Sequence, residues 1–205
     1  MAARKLGTRV RREQIAQAAL SLVASRGVKA LSIAAVARKV GIVPAGIYRH
    51  FASKREMLDA VLDLLRRKLL DNVDAVRKQT PNSLERLRRL ISRHIGAINL
   101  FIVIPRVFLS EDAYESPGVA RTKAHDLIAS YLEAVAGIVR EGQDHGVIRR
   151  DINSATVAIM FIGVAQPPAM FRYLARGRFD VERHVEEAWR VFSEAIRAGK
   201  RAPHG

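Results

Sequence analysis

Apolar residues recur at helical spacing along almost the whole chain, and no stretch shows the two-residue alternation of a half-buried strand. Ile15, Ala18, Ala19, Leu22 and Val23 form one stripe, which predicts a helix over residues 10–25 that ends at Arg26-Gly27. Ile33, Val36, Ala37 and Val40 form a second, shorter stripe. Ser32 is placed to cap that helix at its start, and Gly41 to break it just past its last turn. Ile42 and Val43 turn the chain. Pro44 then opens a short helix to about residue 51, at a position where its missing N–H is not needed. Ser53 and Glu56 are spaced as a capping box for a long helix over 53–79. Met57, Leu58, Val61, Leu64, Leu65, Leu69, Val73 and Val76 line its apolar side.

After a break at residues 80–83, Asn82 and Glu85 repeat the cap spacing, and an apolar helix is expected to about residue 103, where Pro105 interrupts it. Residues 106–112 are expected to form short turns, and 114–118 a loop. A long helix over 119–142 carries Leu127, Ile128, Tyr131, Leu132, Val135 and Ile138 on its inner side. Asn153 and Asp180 are placed to cap two last helices, over 153–175 and 180–198. Their short connection makes them antiparallel neighbours, and Pro167-Pro168 should kink the first. The pattern therefore predicts an all-α chain of about nine helices. It divides into an N-terminal arm and three-helix domain over 1–54, a larger helical domain over 55–199, and a disordered tail over 200–205.

Two short helices joined by a glycine turn, with Tyr48, Arg49 and His50 on the second, make a helix-turn-helix whose second helix enters the DNA major groove. Ala35-Val36-Ala37, Gly41-Ile42, Ile47-Tyr48, His50-Phe51, Lys54 and Leu58 resemble the DNA-binding signature of the TetR family of bacterial repressors, over about residues 11–61. The resemblance implies a homodimer on double-stranded DNA, with a C-terminal domain that dimerises and senses a small molecule. It implies no cofactor. The sequence departs from the signature at Val43, where Ser or Thr is usual, at Pro44 and Ala45, often polar or lysine, and at Gly46, where Thr is usual. A valine N-cap costs about 1 kcal/mol relative to serine. These departures leave docking intact but carry over no base preference.

Charge sharpens this picture. The net charge is +15 over 205 residues, and residues 1–60 hold 12 Lys/Arg against 3 Asp/Glu, whereas 61–205 hold 23 against 17. An excess concentrated at the helix-turn-helix end is the electrostatic footprint of a DNA-facing domain. The arm residues Arg4, Lys5 and Arg9 either reach the groove or phosphates or form a loose terminus. Cysteine is absent, which excludes disulfides and thiolate chemistry. No uninterrupted apolar run has membrane-spanning length, and the basic N-terminus lacks an apolar signal core, so a cytoplasmic protein without a membrane partner is expected. There is no phosphate-binding glycine loop and no His pair at metalloprotease spacing, so no catalytic or metal site is expected.

Within the helix-turn-helix, Arg49 can read a guanine edge through two parallel hydrogen bonds, or contact a phosphate. The resemblance places Tyr48, His50 and Lys54 on the DNA backbone. Ser32 either reaches a phosphate or only caps its helix. Pro44, Ala45 and Gly46 face the same groove, where Ala45 and Gly46 permit close approach or touch a thymine methyl. In the larger domain, His94, Ile98, Phe101, Ile102, Phe108, Tyr131 and Met160 are candidate lining for a lipophilic effector. Ala155, Ala158, Ile159, Ile162 and Gly163 on one helix, with Val185, Ala188, Trp189, Phe192 and Ile196 on the next, are candidates for a four-helix dimer interface.

Overall fold

A computed structural model describes residues 7–97, 102–108, 119–175 and 178–199. The described residues are helical, joined by turns and one isolated β-bridge. Packing divides the chain into two units: Met1–Arg67 with Ile102–Leu127, and Lys68–Phe101 with Ile128–Gly205. The change of packing thus falls within the long fourth helix rather than at its start.

The first unit contains α1 (Thr8–Arg26), a single 3-10 turn at Val28–Ala30, α2 (Ile33–Val40), α3 (Pro44–Tyr48) and the start of α4 (Lys54–Gln79). Ile15, Ala19, Leu20, Val23, Val36, Ile47, Phe51, Met57 and Val61 are buried. α1 packs on α2, and α2 on α3. The Ser32 hydroxyl accepts the Ala35 N–H at 3.1 Å, and Gly41 stops α2 with φ 77° and ψ 35°, a left-handed geometry that a Cβ disfavours. α3 is shorter than the sequence suggests. It ends at Tyr48 because the chain turns there to bury Phe51 and start α4. The amides of His50 and Phe51 close that turn on the Ile47 carbonyl, at 2.8 and 2.9 Å.

α6 (Val103–Phe108) also belongs to this unit. Pro105, expected to interrupt a helix, instead lies in the first turn of one, where proline is tolerated. From α6, Arg106 donates to the carbonyls of Val23 at 3.0 Å and Ala24 at 2.6 Å, satisfying acceptors in the last turn of α1.

The second unit holds the rest of α4, then α5 (Ser83–Gly96), most of the C-terminal part of α7 (Val119–Asp144), α8 (Ser154–Ala165), α9 (Pro167–Leu174) and α10 (Val181–Ile196). α5 stops at Gly96, short of the expected residue 103, with Ala97 outside helical geometry at φ −114° and ψ 21°. Pro167 and Pro168 lack the N–H groups that would continue the ladder, so the helix expected over 153–175 is two helices meeting at Gln166. Ser154–Arg172 reaches a mean hydropathy of 1.4 over 19 residues, although Gln166, Pro167 and Pro168 interrupt its apolar run. That break divides it. The end of α10 is tied to the turn after α7 by Arg149 N–H to Ile196 O at 3.0 Å and Ala198 N–H to Val147 O at 3.1 Å. Glu141 joins the guanidinium groups of Arg77, at 2.9 Å, and Arg86.

Candidate nucleic-acid interface

The candidate interface is built on α3 and the linker that leads to α4. Val43 is the N-cap of α3 and supplies no side-chain cap bond. It is 68 % exposed, and Tyr48 is 59 % exposed. Pro44, Ala45 and Arg49 are exposed, and Gly46, His50 and Lys54 are half-buried. Val43 and Tyr48 thus stand exposed beside Pro44, Ala45 and Arg49 on one short helix and its two ends. Gly46 has ordinary backbone geometry, and a Cβ there would meet Ile42 Cδ1 at 3.4 Å, a normal contact. Nothing in the fold itself requires glycine at this position.

The linker is fastened by a residue that sequence reasoning missed. Arg12, on α1, lays its guanidinium 4.3 Å above the Phe51 ring. One arm donates to the His50 carbonyl, and the other pairs with Glu56 Oε1 at 2.9 Å. The second Glu56 oxygen accepts the Ala52 N–H at 2.7 Å, and Ser53 Oγ accepts the Glu56 N–H at 3.1 Å. The expected capping box is therefore present, with its return bond made to Ala52 rather than to Ser53. The Ala52 amide first, and Arg12 second, hold the Glu56 carboxyl below the usual carboxylate range. Arg12 and Glu56 lie 44 positions apart, so no local spacing rule links them.

The other predicted groups are placed less evenly. His94 and Tyr131 meet inside the second unit, the phenol oxygen hydrogen-bonded to Nε2. Phe161 stands edge-on to His94 at 5.8 Å between ring centroids. Burial drives the His94 pKa down to about 3 and pushes the Tyr131 phenol well above its ordinary value. Met160, expected beside them, is 49 % exposed, because it lies on the outer side of α8. Ile102 is half-buried in the first unit. Ile98, Phe101, Arg4, Lys5, the 114–118 loop, the 200–205 tail and the Phe108 side chain lie outside the described residues.

The proposed dimer stripes divide in the same way. Ala155, Ile159 and Gly163 are exposed, and Ile162, Ala188 and Trp189 are half-buried. Ala158, Val185, Phe192 and Ile196 are instead buried within their own subunit, so these four are core and cannot face a partner directly. Helical spacing alone did not separate the two sides, because α8 is apolar nearly all round. Val191, absent from the stripe, is 67 % exposed beside them on α10.

Similarity to known proteins extends over both parts of the chain. The family model described as bacterial regulatory proteins, tetR family, matches residues 15–61, and that of the YsiA-like protein C-terminal region matches 65–195. The nucleoid occlusion factor SlmA of Salmonella paratyphi B is 34 % identical over 97 residues, covering 47 % of this chain and 49 % of that protein. The chain thus matches about half the length of such curated relatives. A TetR-family regulator from Cytophaga hutchinsonii superposes with a TM-score of 0.78 at 17 % identity, over 96 % of this chain and all of the other (100 %). The regulator FadR from Bacillus subtilis, solved in complex with stearoyl-CoA, gives 0.73 at 21 % identity over 90 % of this chain and 99 % of its own.

Proposed function

The chain belongs to the TetR family and is a DNA-binding transcriptional regulator, not an enzyme, and from that premise we propose that it is a ligand-responsive repressor, homodimeric and cytoplasmic, released from DNA by a small lipophilic effector. The observation that carries the reading is the exposed α3 surface, where Val43, Tyr48 and Arg49 stand in water on an otherwise well-buried three-helix unit. Each subunit presents residues 44–50 to one major groove. Two such groups must stand about 34–36 Å apart to meet successive grooves on one face of the duplex. A unit this small cannot set that distance, so the exposed apolar side of α8 and α10, with Ile159 and Val191, is assigned to the dimer. Tyr48, His50 and Lys54 are assigned to phosphates, and Arg49 to a base edge.

The effector class rests on the fold shared with the stearoyl-CoA complex. His94 and Tyr131 offer a polar pair within apolar surroundings, the kind of element that orients a lipophilic ligand. The test is to select bound genomic fragments, then titrate long-chain acyl-CoA against the complex, with free CoA as control. Acyl-CoA should lower operator affinity. A ligand with equal affinity for free and DNA-bound protein would shift nothing and would rule this out.

A second reading is favoured by the similarity to SlmA: an architectural or division-coupled DNA-binding protein that needs no effector. It predicts bound fragments scattered along the chromosome rather than upstream of genes, and affinity unmoved by any acyl compound.

A further inference from the structure

We propose that Arg12 is the positioning residue for the phosphate-reaching groups, and that it acts without touching DNA. Its guanidinium is used on three sides within the fold: the Phe51 ring beneath it, the His50 carbonyl at one arm, and Glu56 at the other. Those contacts span residues 50–56, so one side chain fixes the end of the recognition segment against the start of α4. His50 and Lys54 lie within that span, and Tyr48 two residues before it. A planar group with fixed donors can do this; a lysine, a point charge on a flexible stem, cannot hold ring, carbonyl and carboxylate together. Pairing has a second effect. Glu56 is held ionised close to Lys54 on a surface that must approach phosphates, and Arg12 neutralises it there. The charge of Arg12 is thus spent inside the protein and releases no counterion from DNA.

The inference rests on the assignment of Tyr48, His50 and Lys54 to the DNA backbone, and its test keeps the two apart. Binding to a short mixed-sequence duplex is measured by fluorescence anisotropy over a range of salt for the full-length protein and for Arg12→Lys, Arg12→Ala, Glu56→Gln, Lys54→Ala and Tyr48→Phe, with helicity checked by circular dichroism. Arg12→Lys should weaken binding about tenfold although it keeps the charge, and the slope of log K against log salt should stay at the wild-type value. Arg12→Ala, where it folds, should match it. Glu56→Gln should also weaken binding, although removing a negative charge near DNA would by itself strengthen it.

A slope reduced by about 0.9 in Arg12→Ala, with Arg12→Lys near wild type, would make Arg12 a direct phosphate contact and overturn the proposal. Tighter binding by Glu56→Gln would overturn it as well. If Lys54→Ala and Tyr48→Phe weaken binding while folded Arg12→Lys does not, the positioning role alone fails. If Lys54→Ala and Tyr48→Phe are silent, the assignment of the backbone contacts fails, and the positioning role with it.

Discussion

The Tyr131 hydroxyl is hydrogen-bonded to Nε2 of His94 inside the second unit, with both side chains almost wholly out of water. Burial keeps that imidazole neutral down to about pH 3, whereas in the unfolded chain it takes up a proton near pH 6.5. Between these values the unfolded state binds more protons, so stability falls as the pH falls. The contribution is complete above the unfolded value, lost progressively below it, and amounts to about 2 kcal/mol lost by pH 5. Urea unfolding of the protein and of His94→Asn, compared between pH 7 and 4, should show the two stabilities converging as the pH drops. Parallel curves would mean that His94 is protonated in the fold without penalty.

The helix starts in the helix-turn-helix give a pair of opposed predictions. Val43 caps α3 with no side-chain bond, whereas Ser32 caps α2 through Ala35 N–H. Val43→Ser should stabilise the protein by about 1 kcal/mol, and Ser32→Ala should destabilise it by about the same amount. Denaturant midpoints check both. On the proposed reading, in which the exposed Val43 side chain faces the groove, Val43→Ser should also lower operator affinity.

Gly142, in the last turns of α7, tests packing against helix propensity. A Cβ there would stand 2.6 Å from Ile148 Cδ1, 2.8 Å from its Cγ1 and 2.9 Å from Ser83 Cβ. Alanine gains about 1 kcal/mol over glycine in an open helix, but overpacking a tight site costs about 1–3 kcal/mol. Gly142→Ala should therefore lower the denaturant midpoint. A raised midpoint would show that Ile148 moves aside freely.

The apolar residues of α8 and α10 should answer differently to the same charge. Ile159 is 60 % exposed, so Ile159→Glu should leave a folded protein that sediments as a monomer and binds operator weakly. Phe192 is buried, with its ring 6.2 Å from that of Phe161 and 5.8 Å from that of Trp189. An unpaired carboxylate there is expensive, so Phe192→Glu should lose helical signal instead of merely dissociating. A dimer that survives Ile159→Glu with unchanged DNA affinity would move the interface elsewhere.

The sequence alone determined the helical class, most helix boundaries, the Ser32 and Gly41 caps, the Ser53–Glu56 box, and the helix-turn-helix with its basic bias. These are legible because they depend on residues within four positions of one another: caps, stripes and breakers act over a single helical turn. Tertiary structure decided what depends on distant partners. It brought Arg12 to Glu56 and Phe51, and His94 to Tyr131. It also placed Met160 outward, and Ala158, Phe192 and Ile196 inward. A helix that is apolar on several sides carries no periodic record of which side faces its own core. Only the positions of its neighbours settle that choice, because burial is a property of the packed chain and not of the residue.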